Sequence, residues 1–309
     1  MKNFSIKKLL FSAVLFLLSF TFAREFSITK HPDSMFWTID STDRFGNPSR
    51  IYVLGTIHLA DESIHPVPDY ILDAWDEADR IYGELSSSDW KKVYSKTLKL
   101  LSKAVIKDKD KWVENFLTED ELETLKELLG PAVYEGYKRF EPWVFTNSLS
   151  SLVYKNAPLS AEYSYDIYFI NKGDEEDTVI SGLDKIETQL DLLHFGTFEE
   201  QIAMLKESLK QMENPDEEVD GLTKMYELYK SGDEDAFSEF YDQLKKDAAE
   251  HNEVYERYYT TMLDERNKSW GITFGDLLDK GGTTFVFAGT GHFLGSKSTF
   301  TLISFPEDR

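Results

Sequence analysis

Short apolar runs lie near the two ends of the chain, and long amphipathic stretches fill its middle. Ile51-Tyr52-Val53-Leu54 and Phe285-Val286-Phe287-Ala288 are rich in β-branched and aromatic side chains with no polar alternation, the pattern of strands buried on both faces. Phe36 to Ile39 and Ile51 to Leu54 predict a hairpin, because Asp43-Arg44-Phe45-Gly46-Asn47-Pro48 between them carries turn-forming residues. From about Pro68 to Ala78, apolar Ile71, Leu72, Trp75 and Ala78 recur at helical spacing behind Pro66 and Pro68. Arg80 to Leu85 then reads as a third strand. A helix between two strands predicts a right-handed βαβ crossover joining parallel neighbours.

Residues from about Asp89 to Lys172 read as mostly helical and include the capping pattern Thr118-Glu119-Asp120-Glu121. Thr178 to Gly182 reads as a strand. Amphipathic helices are expected from Asp184 to about Gly196, from Phe198 to Met212, from Val219 to Ser231 and on to Asp279, and Thr284 to Ala288 with Phe300 to Phe305 closes the sheet. The predicted fold is α/β (α+β): a central mixed sheet built from both ends of the chain, with a largely helical middle forming a cap at about 89–175 and 184–280. No Pro/Gly-rich linker marks a boundary, so residues 24–309 are expected to form a single domain. No 20–50-residue repeat is present.

A chain of 309 residues that is 41% hydrophobic can bury a sizeable core. Its first residues have the layout of a secretory signal peptide over 1–23: Lys2, Lys7 and Lys8, an apolar stretch from Leu9 to Phe22, then Ala23. That stretch is short against the ~20 residues that span a bilayer, so export with cleavage after Ala23 is expected, with membrane contact only through an uncleaved signal. The destination would be periplasmic, cell-surface or extracellular. The absence of cysteine rules out a lipoprotein anchor, disulfides, thiolate metal sites and cysteine nucleophiles. With 34 basic against 56 acidic residues the net charge is −22, and no basic cluster opposes that field, which argues against nucleic acid as a partner.

Directly after the two apolar runs come Gly55-Thr56-Ile57-His58 and Gly289-Thr290-Gly291-His292. Each histidine is therefore expected just past the carboxyl end of a strand, the edge at which open α/β sheets bind ligands. The chain also presents Glu84 after the third strand, Ile180-Ser181-Gly182-Leu183 with Gln189 nearby, and Leu263-Asp264-Glu265-Arg266-Asn267 on a late helix. In that order these elements resemble the TraB/GumN family, which includes the TIKI metalloproteases and pheromone-shutdown proteins and is related to erythromycin esterases and ChaN-like proteins. The resemblance runs from about Phe36 to Phe305. It departs at Asp184, where the family usually carries glutamate.

The chemistry of these residue types fits a metal site. Imidazole is a common ligand of first-row divalent ions, and two imidazoles with one carboxylate leave coordination positions open for water and substrate. His58, His292 and Glu84 could supply that set, for zinc, manganese or cobalt. Gly55 and Gly289, lacking a Cβ, would permit a sharp turn or the close approach of a ligand or cofactor. Glu84 interrupts an apolar run, where a carboxylate needs a charged partner. On its helix alone Arg266 reads as a surface pair with Glu265 or Asp264; the resemblance implies instead that it holds a carboxylate or stabilises an oxyanion. The resemblance implies a metal-dependent hydrolase, most simply a peptidase, with Glu84 and Arg266 as catalytic groups and a peptide or protein as substrate. The competing expectations are a non-catalytic binding protein that sequesters a peptide signal or haem in the same cleft, and a scaffold in which the histidines tie sheet edges together. His31, His65, His194 and His251 read as surface or packing residues.

Overall fold

The computed structural model describes residues 24–309, the side chain of His251 apart; the expected signal segment lies outside the described residues. Its sheet has six strands: β1 (Ser27–Lys30), β2 (Phe36–Thr42), β3 (Pro48–Thr56), β4 (Arg80–Gly83), β5 (Ile180–Gly182) and β6 (Gly282–Gly289), in the spatial order β1-β2-β3-β6-β4-β5. The first three pair antiparallel and the others parallel, which makes the sheet mixed and draws it from both ends of the chain. The predicted hairpin is present as β2–β3, with Phe36 opposite Leu54 and Ile39 opposite Ile51.

The helices are α1 (Asp69–Asp76), α2 (Ser87–Trp90), α3 (Val93–Lys103), α4 (Glu119–Leu129), α5 (Pro131–Tyr137), α6 (Pro142–Asn156) and α7 (Tyr165–Glu175) before β5. After it come α8 (Ile186–Leu193), α9 (Phe198–Gln211), α10 (Pro215–Ser231), α11 (Glu234–His251), α12 (Glu253–Tyr259) and α13 (Arg266–Lys280). Trp270, Phe274, Leu277 and Leu278 of α13 pack on one sheet face against Trp37, Ile51, Val53 and Val286. Ile71, Ala74 and Trp75 of α1, with Phe169 of α7, pack on the other against Leu54, Ile81, Phe285 and Phe287. Successive residues of β6 thus enter opposite cores, which is why its run is apolar without alternation. The cap has its own core, in which Leu125, Phe145, Leu149, Leu205 and Leu209 meet. The expected capping box at Thr118 and Glu121 starts α4. Among the described residues no helix is long and apolar enough to cross a membrane.

Three expectations need correction. β3 and β4 are parallel but not neighbours, because β6 lies between them and pairs with both. Ser27–Lys30 adds an edge strand that its short, mixed pattern does not reveal. Phe300 to Phe305 forms no strand: it contains a 3-10 turn at Phe300–Leu302 and crosses α13, where Gly271 and Gly275 lie against the carbonyls of Leu302 and Ser304. A Cβ at Gly271 would collide with the Leu302 carbonyl oxygen, so these glycines make the groove in which the segment lies.

Candidate active site

The parallel pairing of β3 with β6 sets Gly55 opposite Ala288 and Thr56 opposite Gly289, so both glycine-histidine motifs leave the same sheet edge side by side. Their glycines make room for neighbouring side chains. A Cβ at Gly55 would lie 2.7 Å from Thr290 Oγ1, and one at Gly289 would lie 3.1 Å from Glu84 Oε1. Neither glycine has a positive φ, so the sharp turn expected of them is not needed.

Glu84 follows β4 and bends over that edge. Its Oε1 accepts the backbone N–H of Gly289 at 2.9 Å, and its Oε2 accepts from Arg266 Nη2 at 2.7 Å and Gln189 Nε2 at 3.1 Å. Arg266 also donates through Nε to Asp184 Oδ2 at 2.7 Å and through Nη1 to the Met262 carbonyl at 3.1 Å, with its guanidinium 4.9 Å from the centre of the Trp270 ring. Trp270 Nε1 donates to the other Asp184 oxygen at 2.9 Å. The result is a buried carboxylate-guanidinium-carboxylate triad, not a surface pair with Glu265 or Asp264. Burial alone would raise the Glu84 pKa, yet Arg266, the two histidines and the Gly289 N–H together lower it to about 2. For Asp184 burial prevails over Arg266 and its pKa is raised. Arg266 begins α13 directly after a π-helical turn at Thr260–Glu265, an irregularity often found at functional sites.

The two histidines differ. His58 Nδ1 lies 3.2 Å from Asp166 Oδ2, and the other oxygen of Asp166 accepts from Thr56 Oγ1 at 2.8 Å. The His58 side chain is 75% exposed and lines a cavity between the sheet edge and the cap. The hydrogen bond to Asp166 and that carboxylate's charge raise the His58 pKa to about 9. His292 is 4% exposed, its Nδ1 lies 2.6 Å from Asn267 Oδ1, and its ring centre lies 4.1 Å from that of Trp270. Burial and the Arg266 charge lower its pKa to about 3. Asn267 Oδ1 can only accept, so His292 carries its proton on Nδ1 and its Nε2 is a bare lone pair.

The cavity holds about 1430 Å³ and is lined by His58, Glu84, Asp166, Gln189 and Arg266 at the sheet edge. Sequence reasoning placed His58, His292, Glu84 and Arg266 at one edge, and the structure brings them there. It did not find Asp166 or Asn267, the two residues that set the histidines' protonation. Asp166 sits in the first turn of α7, where an acidic residue is explained by the helix dipole alone, and Asn267 is one polar residue of a helix.

The fit of a divalent ion can be judged from the side chains. Each imidazole is anchored through Nδ1 to a side-chain oxygen, the usual outer-shell arrangement of a metal-ligating histidine, although only His58 lines the cavity and His292 is enclosed. Glu84 fits less well, because both its oxygens are engaged by Arg266, Gln189 and Gly289. Among the described residues no three His, Asp or Glu side chains are grouped closely enough to hold an ion together.

The model of the TraB/PrgY/gumN family matches residues 35–304. An uncharacterised protein of Treponema pallidum (strain Nichols) is 30% identical over 282 residues, covering 90% of this chain and 82% of its own. No solved structure matches.

Proposed function

This chain belongs to the TraB/PrgY/gumN family, and from that membership and the site's geometry we propose a metal-dependent hydrolase that cleaves peptide bonds in the cavity at the sheet edge. The observation that carries the reading is the pair of Nδ1-anchored imidazoles beside a buried Glu84–Arg266 ion pair. The side chains supply acid and electrostatic groups but no strong base. Glu84 near pKa 2 is too weak to deprotonate water, and His58 near 9 is protonated at neutral pH. A divalent ion held by His58 and His292 through Nε2 would lower the pKa of water to about 7.

The protein's own groups then have distinct tasks. Arg266 has five N–H donors and uses three in the bonds to Asp184, Glu84 and Met262. Its remaining N–H groups can stabilise the oxygen of a carbonyl under attack. Glu84 and Asp184 fix the guanidinium so that no reorganisation is needed during the reaction. Asp166 orients His58.

Cleavage of a peptide library by residues 24–309 with zinc, manganese or cobalt tests the reading. The expected result is cleavage that falls at least ~100-fold in His58→Ala and in Arg266→Lys. An intact library with every ion, or undiminished cleavage by His58→Ala, refutes it. A second reading is a binding protein that sequesters a peptide, since the cavity exceeds the ~300–1,000 Å³ of ordinary ligand sites; it predicts stoichiometric retention of peptide without turnover. Export belongs to the same proposal and predicts a mature protein beginning at Arg24.

A further inference from the structure

The charge of the chain is unevenly spread. Residues 91–111 carry eight lysines against Asp108 and Asp110, within a chain of 34 basic and 56 acidic residues. The expectation that no basic cluster opposes the acidic field therefore fails over this segment. Lys91, Lys92 and Lys96 are paired, with Asp174, Asp89 and Glu187. Lys99, Lys103, Lys107, Lys109 and Lys111 are exposed and form no salt bridge among the described residues. The fold adds a sixth cation from elsewhere in the chain. Val105 forms an isolated bridge with Phe140, and the Ile106 N–H donates to the Arg139 carbonyl at 2.6 Å, which sets exposed Arg139 beside the lysines.

The helix α3 carries a second, independent feature. None of its residues is buried. On its inner side Leu100 and Leu101 pack with Trp143 and Val144, and Thr97 and Leu101 line the cavity. Away from that packing, Tyr94 and Leu98 are 76% and 47% exposed, and Val105 just past the helix is 41% exposed. Tyr94 and Leu98 are four residues apart and share one strip of the helix, while Lys99 and Lys103, also four apart, share another. Apolar side chains left in water among unpaired cations set two demands on a partner: negative charge and an apolar interior. A nucleic-acid backbone meets only the first. An anionic bilayer meets both, with lysine heads among its phosphates and the apolar side chains at the acyl boundary. The acidity of the rest of the chain does not forbid this, because exposed charges more than ~8 Å apart are largely screened at physiological salt.

We infer that α3 and the segment running on to Lys111 form a docking face for an anionic lipid surface. Lys99, Lys103, Lys107 and Arg139 hold the headgroup phosphates, and Tyr94, Leu98 and Val105 enter the interface. This contact is separate from the signal segment. Because α3 also walls the cavity, docking brings the cavity against the bilayer. The inference does not depend on the peptide-hydrolase reading.

Flotation of residues 24–309 with phosphatidylcholine vesicles, with and without about 30% phosphatidylglycerol, reads the docking directly. At roughly 50 mM salt the anionic vesicles are expected to bind at least ~tenfold more protein, a preference that collapses near roughly 0.5 M. Lys99→Gln with Lys103→Gln and Lys107→Gln should cut that binding at least ~tenfold. Lys246→Gln with Lys268→Gln and Lys280→Gln, which removes the same charge from exposed positions of α11 and α13, should leave it within ~twofold. Tyr94→Ser with Leu98→Ser should weaken it severalfold while the circular dichroism spectrum is unchanged. Failure to bind, equal binding to both kinds of vesicle, or equal losses in the two lysine triples overturns the docking face. Retention on heparin or RNA without vesicle binding also overturns it and assigns the cations to another polyanion.

Discussion

His58 and His292 end the same four-residue pattern on neighbouring parallel strands, yet one opens to the cavity with a raised pKa and the other is enclosed with a lowered one. The strands place both imidazoles at one edge; the helices decide what each becomes. Asp166, from α7, gives His58 a carboxylate partner, whereas Asn267, from α13, gives His292 only a neutral acceptor. A motif at a strand end therefore fixes position, while protonation is set by residues distant in sequence.

The largest expected effect lies beneath both histidines. Arg266→Leu leaves Glu84 and Asp184 buried without their cation and should cost ~3–5 kcal/mol in a urea melt. If Arg266→Leu melts with the parent, the triad is not the support of the site. Next comes His292→Ala, which removes a buried ring from Trp270 and leaves Asn267 Oδ1 only the 3.4 Å hydrogen bond from Thr299 Oγ1. It should cost ~2–4 kcal/mol in metal-free protein, by analogy with other truncations of buried side chains.

The pH dependence sharpens the contrast. Native His292 stays unprotonated down to about pH 3, whereas the unfolded chain takes up that proton near pH 6.5, so metal-free protein should lose stability as pH falls through that window. His292→Ala should flatten the slope. His58 has the opposite sign: its raised pKa contributes stability below about 6.5 that is lost as pH rises through about 9. Asp166→Asn should bring the His58 titration, followed by NMR, down toward ~6.5. The smallest expected effect is that of His58→Ala above about pH 9, where the linked contribution is gone: within ~0.5 kcal/mol, because the side chain is largely exposed. A much larger loss would make His58 a structural residue after all.

The sheet, its origin in both chain ends and the shared edge for Gly55, Gly289, His58 and His292 were legible because buried strands leave uninterrupted apolar runs. Glu84 stood out as a charge interrupting an apolar run, whereas Arg266 was singled out by the family resemblance, its helix alone favouring a surface pair with Glu265 or Asp264. The insertion of β6 between β3 and β4 was not legible, since strand order depends on long-range pairing that local periodicity does not encode. Asp184 became intelligible only when Arg266 and Trp270 were seen to share its two oxygens. The Phe300 to Phe305 alternation misled because its fate depends on a groove that Gly271 and Gly275 open in another element.

Calorimetric titration of zinc into metal-free residues 24–309, beside His58→Ala and His292→Ala, tests most directly the claim that the two motifs form one working site. The account predicts one equivalent bound by the parent and affinity at least tenfold weaker in each variant. No binding by the parent, or binding unchanged by either substitution, would contradict it.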